Sequence, residues 1–491
     1  MSARADLGTL EATGLIQVAA LQPELEYLFR HALVQEAAYM SLLKQDRRAL
    51  HRAAADALLA LHPGRERELA GVIGMHFEQA GENARAGHYL ILAGDHALER
   101  FANKEAVAFF TRAGELADES QVDLRLQSAI GRAKAGWTYD QSGMDVERIE
   151  RAVERTPEAD RHLVAEAYFW IAFLRRQRGE VPETSPALRE ALERGAEISS
   201  SLGDPAAAAL PRALIGALAA FTGKLREGAH QMSDALDAIG PAGDPVSVAV
   251  IADFLALSYA RLGEFAAAED TIARAERTAG VSDEISRIDL DIARSGLDLE
   301  RGDVERARTQ AGECSERAES LGAYACVVAA NVMLGAASLA REDAHAAKAP
   351  LERGNELSLV TNMGGLRTLA QGMLGSTLAL LGDMPGGVAG WNAALTGARE
   401  MGDRYGEAQT LWGRGRTYAR EKDWGTALPD VDRAVQLFEE MEAMPSLARA
   451  LRDRALVLRG LGRDADAERD AKRSAELARE LGLRDTTSSP G

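Results

Sequence analysis

The chain is short of the residues on which small secreted proteins and sheet-built proteins depend. Two cysteines in 491 residues cannot form a disulfide framework, which points to a reducing compartment. Aromatic residues make up only 5%, and Val, Ile and Phe seldom cluster. Ala and Leu dominate instead, which favours an all-α chain over a sheet protein. Positive charge is in deficit, with 57 Lys and Arg against 75 Asp and Glu and a net charge of −18. Such a chain repels phosphate backbones and anionic lipid, so neither nucleic acid nor a membrane surface is an expected partner. Long apolar runs are missing too. The longest, Val246 to Tyr259, is interrupted by Asp253 and is too short to span a bilayer. No charged segment followed by an apolar core opens the chain, so no signal peptide is expected and the location read from sequence is cytoplasmic.

Chemical motifs are equally scarce. A phosphate-binding loop ends in Gly-Lys-Ser/Thr, but the single Gly-Lys pair, Gly223-Lys224, is followed by Leu225. The nine histidines show no ligand spacing, so no metal or other cofactor is expected. Cys314 and Cys326 fall on successive helices. No serine sits in a nucleophile elbow, and Gly413-x-Gly415 lacks the preceding strand of a dinucleotide loop. The expectation is a chain without catalytic activity of its own.

What is present is a ruler. A short turn recurs at Gly223-Lys224, Gly263-Glu264, Gly302-Asp303, Glu342-Asp343, Gly382-Asp383, Lys422-Asp423 and Gly462-Arg463, in steps of 40, 39, 40, 40, 40 and 40 residues. Small residues recur at fixed offsets from the second residue of each pair. Eight positions before it stand Gly216, Ala256, Ser295, Gly335, Gly375, Gly415 and Ala455. Four positions after it stand Gly228, Ala268, Ala307, Ala347, Gly387, Ala427 and Ala467. Eleven positions after it stand Ala235, Ala275, Cys314, Gly354, Ala394, Ala434 and Ser474. Two antiparallel helices approach closely only where neither carries bulk at the crossing, so each period predicts one helical hairpin. Larger residues such as Leu255, Ile272, Leu351, Trp391 and Val431 fill the layers between.

This spacing resembles the tetratricopeptide repeat, whose small positions are likewise separated by twelve and seven residues. The period departs from the usual 34 residues, and several bulky positions are replaced, for example by Asp298 and Ser338. The implied fold is an all-α, right-handed superhelical solenoid. The ruler extends upstream with less fidelity, through Gly179-Glu180 with Ala172, Thr184 and Ala191, and through Gly94, Ala106 and Ala113 around a turn near Asn103. Between them, 122–157 reads as a degenerate helix pair with Asp145 at a small position.

The first sixty residues read differently. Leu7 to Leu15 forms a short helix, Ile16 to Ala20 and Leu25 to Phe29 alternate like two strands about Gln22-Pro23-Glu24, and His31 to Leu43 and Arg47 to Leu61 return to helical periodicity. The string Tyr27-Leu-Phe-Arg-His-Ala-Leu-Val-Gln-Glu-Ala-Ala-Tyr-Met-Ser-Leu-Leu resembles the winged-helix junction of bacterial STAND-class signalling ATPases, above all those fused to class III adenylate or guanylate cyclases. The likeness continues through His76-Phe-Glu-Gln-Ala-Gly-Glu and Tyr89-Leu-Ile-Leu-Ala-Gly-Asp to about residue 117. It implies a truncated winged-helix remnant over 1–45, a helical linker over 46–68, divergent repeats over 69–202, regular repeats over 203–482 and a disordered tail over 483–491. It also implies that the chain is the C-terminal arm of such a protein, its nucleotide-binding and cyclase domains being absent or separately encoded, and that Arg30 and His31 are remnants of a nucleotide sensor.

In the tetratricopeptide pattern the first helices line the concave side, at eleven, seven and four residues before the turn residue. Leu257, Leu299 and Leu339 then give the middle of the groove an apolar lining. Toward the C-terminus it becomes Trp412, Arg416, Arg452 and Arg459, with Arg449 beside them, a reversal of sign in an acidic chain. Glu421, Asp423 and Asp453 stand near as acids that could pair with these arginines. The expected partner is a protein or peptide in this groove, an acidic segment, an amphipathic helix or a segment of the protein itself, with a separately encoded nucleotide-binding domain as one candidate. The groove could equally be filled by the side chains of its own long helices.

Overall fold

The computed structural model describes residues 3–484 apart from 21–25, 101, 138–143, 157–162, 241–244, 280–283 and 362. The strand-connecting turn at Gln22-Pro23-Glu24, the side chain of Asp145 and the tail from Asp485 lie outside the described residues. The described chain holds 24 helices and one two-stranded sheet.

Helix α1 (Ala3–Ala12) leads into β1 (Ile16–Ala20), which pairs antiparallel with β2 (Glu26–Phe29), Ile16 opposite Phe29 and Val18 opposite Tyr27. Gly14 in a left-handed conformation ends α1 earlier than the apolar pattern suggests. Helices α2 (Ala32–Ser41) and α3 (Lys44–Leu61) follow. Then come α4 (Glu66–Ala80), α5 (Asn83–Glu99), α6 (Asn103–Leu116), α7 (Val122–Gly136) and α8 (Met144–Arg155). The next hairpins are α9 (Val164–Gln177) with α10 (Pro186–Ser201) and α11 (Pro205–Phe221) with α12 (Leu225–Ile239). Six regular ones follow: α13 (Pro245–Leu262) with α14 (Phe265–Ala279), α15 (Glu284–Arg301) with α16 (Val304–Leu321), and α17 (Tyr324–Ala340) with α18 (Ala344–Val360). The last three are α19 (Gly364–Leu380) with α20 (Met384–Met401), α21 (Arg404–Arg420) with α22 (Trp424–Glu440), and α23 (Met444–Gly460) with α24 (Asp464–Leu481). The molecule is an all-α helical-repeat solenoid.

The turn of each hairpin has one construction. The first residue of each ruler pair is left-handed, at φ 96° for Gly223, 83° for Gly263, 96° for Gly302, 93° for Gly382 and 73° for Gly462, and also at Glu342 (65°) and Lys422 (59°). The N–H of the second residue returns to the carbonyl five residues back, as in Lys224 to Ala219 at 2.9 Å and Asp303 to Asp298 at 2.8 Å, which is the Schellman closure. Asp343, Asp383 and Asp423 then accept the N–H three residues on and cap the second helix.

All twenty-one small positions of the ruler are buried. At the Gly375–Gly387 crossing smallness is required by backbone contact. A Cβ at Gly375 would stand 2.9 Å from the Gly387 carbonyl oxygen, and one at Gly387 would stand 2.9 Å from that of Gly375. Upstream the ruler holds at Gly94, Ala106 and Ala113, all buried around Phe110. It fails after Gly179, where α10 starts late. Thr184 is exposed, Ala191 is half-buried, and Leu188, Leu192 and Gly195 take the inner positions. The longer connection over 179–185 is engaged elsewhere, with its Glu183 N–H donating to the Met401 carbonyl at 2.7 Å.

That contact belongs to a seam. The superhelix winds tightly enough for one turn to touch the next. Arg226 donates to Glu442, 216 residues on, at 3.0 and 2.9 Å. The Arg484 N–H donates to the Arg301 carbonyl at 3.0 Å. Gly179 and Gly364 meet back to back, so that a Cβ at Gly364 would lie 2.6 Å from the Arg178 carbonyl oxygen. At 40 residues per repeat, a separation of 216 residues is between five and six repeats to the turn.

Candidate binding cavity

Six inner helices, α13, α15, α17, α19, α21 and α23, form a ring, because α23 returns to touch α13 and α15. The ring encloses a cavity of about 190 Å³ that is open at one side. The side chains of these helices thus fill part of the groove themselves.

Seven of the eight residues expected to line the groove stand around this one cavity: Leu257, Leu299, Leu339, Trp412, Arg416, Arg449 and Arg452. Arg459 does not; it lies at the surface, 3.8 Å from Glu468. Sequence reasoning missed Arg261, Glu300, Tyr405 and Gln409. The lining stripe is wider than the positions at four, seven and eleven residues before the turn. Arg261, Glu300, Leu380 and Arg420 stand three before it, and Gln409 and Arg449 fourteen before it. Those offsets lie on the same helix face as seven, and that periodicity was the available signal.

One wall is polar and closed upon itself. Tyr405 Oη donates to the Glu300 carboxylate at 2.5 Å and shares a hydrogen bond with Ser446 Oγ at 3.1 Å. Gln409 Nε2 donates to Tyr405 Oη at 2.8 Å. Arg449 donates to the carbonyls of Leu299 and Glu300 at 3.3 and 3.2 Å and pairs with the Glu300 carboxylate. Burial, and the charge of Glu300 after it, hold the Tyr405 phenol well above its usual range. Arg449 and Glu300, 149 residues apart, are part of what closes the ring.

The mouth carries the other arginines. Arg416 and Arg452 approach Asp453 at 3.2 and 3.4 Å, and Trp412 Nε1 donates to the same aspartate at 2.9 Å. Arg420 pairs with Glu342 at 2.6 Å. Of the three acids singled out from sequence, Asp453 is the one that meets these arginines; Glu342, from the α17–α18 turn two hairpins back, is the other partner. Five arginines and one carboxylate line the cavity, in a chain of net charge −18.

Arg30 and His31 are exposed at the start of α2, and His31 caps that helix without a side-chain hydrogen bond. They stand far along the chain from the ring helices. Cys314 and Cys326 are buried free thiols, and burial pushes the Cys314 thiol up to about 12, where it is unreactive. Among the described residues no group of three His, Cys, Asp or Glu side chains is arranged to hold a metal ion, and no helix is long and apolar enough to cross a membrane.

No protein-family model and no curated protein matches the chain. Solved structures do resemble it. A Rap protein complexed with Competence and Sporulation Factor aligns over 81% of this chain and 98% of its own at 12% identity and a TM-score of 0.47. The Rap conjugation gene regulator of plasmid pLS20, in complex with the Phr* peptide, aligns over 74% and 95% at 11% identity and a TM-score of 0.49. The APC/C hetero-tetramer Cut9–Hcn1 aligns over 92% and 99% at 12% identity and a TM-score of 0.34. The likeness is one of helical arrangement.

Proposed function

We propose that this chain is a non-catalytic protein-interaction and sensor scaffold, the helical-repeat arm of a bacterial signal-transduction ATPase or cyclase system. The observation that carries the reading is the convergence of six inner helices on one arginine-rich cavity in an otherwise acidic molecule. Local sign reversal of this kind selects an anionic partner and steers its approach. An acidic protein or peptide segment docks at the mouth, where Arg416, Arg452 and Trp412 are gathered on Asp453. Arginine suits the task because its planar head holds a carboxylate through two parallel hydrogen bonds. The signalling context rests on the resemblance carried by Tyr27 to Leu43.

Arg416→Glu with Arg452→Glu is expected to abolish co-purification with the nucleotide-binding or cyclase component of the same system and to leave the helical circular dichroism unchanged. Arg459→Glu, off the cavity, is expected to leave co-purification intact. Recovery of the partner by the double reversal would overturn the docking site. The wider context is tested by sequencing the DNA ahead of the Met1 codon and its neighbouring genes for a loop ending in Gly-Lys-Ser/Thr.

A further inference from the structure

Four of the five cavity arginines already have a carboxylate. Arg449 has Glu300, Arg416 and Arg452 share Asp453, and Arg420 has Glu342. Arg261 is the exception. Its guanidinium lies over the Tyr405 ring, 3.9 Å from the centroid, and among the described residues no carboxylate stands within ion-pair distance of it. Asp253 and Asp403 feel its charge from a greater distance, and burial raises both, Asp253 to about 7.

The floor below is hydrocarbon and thioether: Leu257, Leu299, Met333, Leu369, Met373 and Leu380. Its hydroxyls are spoken for. Thr410 and Thr417 each donate to the carbonyl four residues back on their own helix at 2.9 Å, and Ser376 accepts from Trp391 Nε1 at 3.0 Å. The lining backbone is helical and bonded within itself. A peptide main chain lowered into this floor would leave its amides unpaired, at about 1–3 kcal/mol for each buried group. A hydrocarbon chain meets no such penalty, and the two methionines adapt to its shape. The volume of about 190 Å³ is a little above the roughly 150 Å³ of an engineered cavity that binds benzene. It suits a tail of modest length.

We infer that the cavity binds a free medium-chain carboxylate, with the aliphatic tail on the apolar floor and the carboxylate held by Arg261. This rests on the sensor reading above and names the class of molecule sensed. The same chemistry could reach the site as the C-terminal residue of an apolar-ended peptide, but the satisfied floor favours the free acid.

The test is isothermal titration of the full chain with butanoate, octanoate, 1-octanol and a short peptide ending in leucine. Octanoate is expected to bind at least tenfold more tightly than either butanoate or 1-octanol. Arg261→Gln is expected to remove the advantage over 1-octanol, and Arg261→Lys to restore part of it. Ala336→Phe, which fills the cavity from α17, is expected to abolish binding with unchanged circular dichroism. Equal binding of octanoate and 1-octanol, binding of the peptide without octanoate, or full octanoate binding by Ala336→Phe would each overturn the inference. Loss of partner docking on reversal of Arg416 and Arg452, with no octanoate binding by the wild type, would sink this inference and leave the scaffold reading standing.

Discussion

Lys422 shows what a single residue contributes to this fold. It occupies a left-handed turn position that glycine fills in five of the seven hairpins, where a Cβ crowds the following carbonyl at about 1–2 kcal/mol. Lys422→Gly is therefore expected to stabilise the protein by about 1 kcal/mol, read as a higher midpoint in urea. Glu342 has the same strained backbone but holds Arg420, so Glu342→Gly exchanges strain for a lost pair. Asp298 is the opposite case. It departs from the repeat pattern because it is fully buried against Arg306, whose Nε donates to it at 2.6 Å. Removing one partner of a buried pair costs about 3–5 kcal/mol, whereas replacing both with apolar groups is often neutral. Arg306 is more than half exposed, so Arg306→Met belongs at the low end, about 3 kcal/mol. The double change to Arg306→Met and Asp298→Leu is expected to recover most of the loss in chemical denaturation.

At the scale of the helix pair, the crossings are set by small residues and tolerate little else. Ala347 and Ala427 are fully buried against the first helix of their hairpins. Ala347→Leu or Ala427→Leu is expected to cost about 1–3 kcal/mol by overpacking, and because repeats stack on their neighbours the loss spreads over two or three hairpins. Amide exchange should accelerate there, and unchanged exchange around the substituted hairpin would refute the register. This layer of the structure was legible in the sequence because its causes are local. A left-handed glycine, an aspartate cap and three small residues all lie within one 40-residue window. The groove was legible in part for the same reason, since Leu257, Leu339 and Arg416 follow from helical phase. What was not legible depends on contacts made far along the chain. Glu300 reads as a solvated outer charge until Arg449 and Tyr405 arrive from 149 and 105 residues away. The late start of α10 is likewise explained by the docking of Glu183 on Met401, which no local pattern encodes.

Across the whole molecule, the seam between successive turns is the element most open to perturbation. Gly364→Ala would push a Cβ into the Arg178 carbonyl, and is expected to cost about 1–3 kcal/mol with faster amide exchange in both α9 and α19. The seam also responds to pH. Burial, against the pull of Arg176 and with repulsion from Asp403, raises the Glu183 carboxyl to about 7, and burial raises Asp253 likewise, opposed by Arg261 and Arg176. The folded chain therefore holds protons that the unfolded chain releases between about pH 4 and 7, so this contribution to stability is greatest on the acid side and is lost as pH rises through about 7. Melting temperature is expected to fall from pH 5 to pH 7.5, and Glu183→Gln with Asp253→Asn to flatten the profile. The ring of inner helices has one more consequence, which concerns counting. An open array of repeats can gain or lose a unit by duplication or deletion and merely change its length. Here Arg226 must meet Glu442, and Arg449 must meet Glu300. Inserting a single 40-residue unit between them would move each partner by a full step around the axis. The number of repeats is thus as much a fixed property of this protein as the identity of any residue in its cavity.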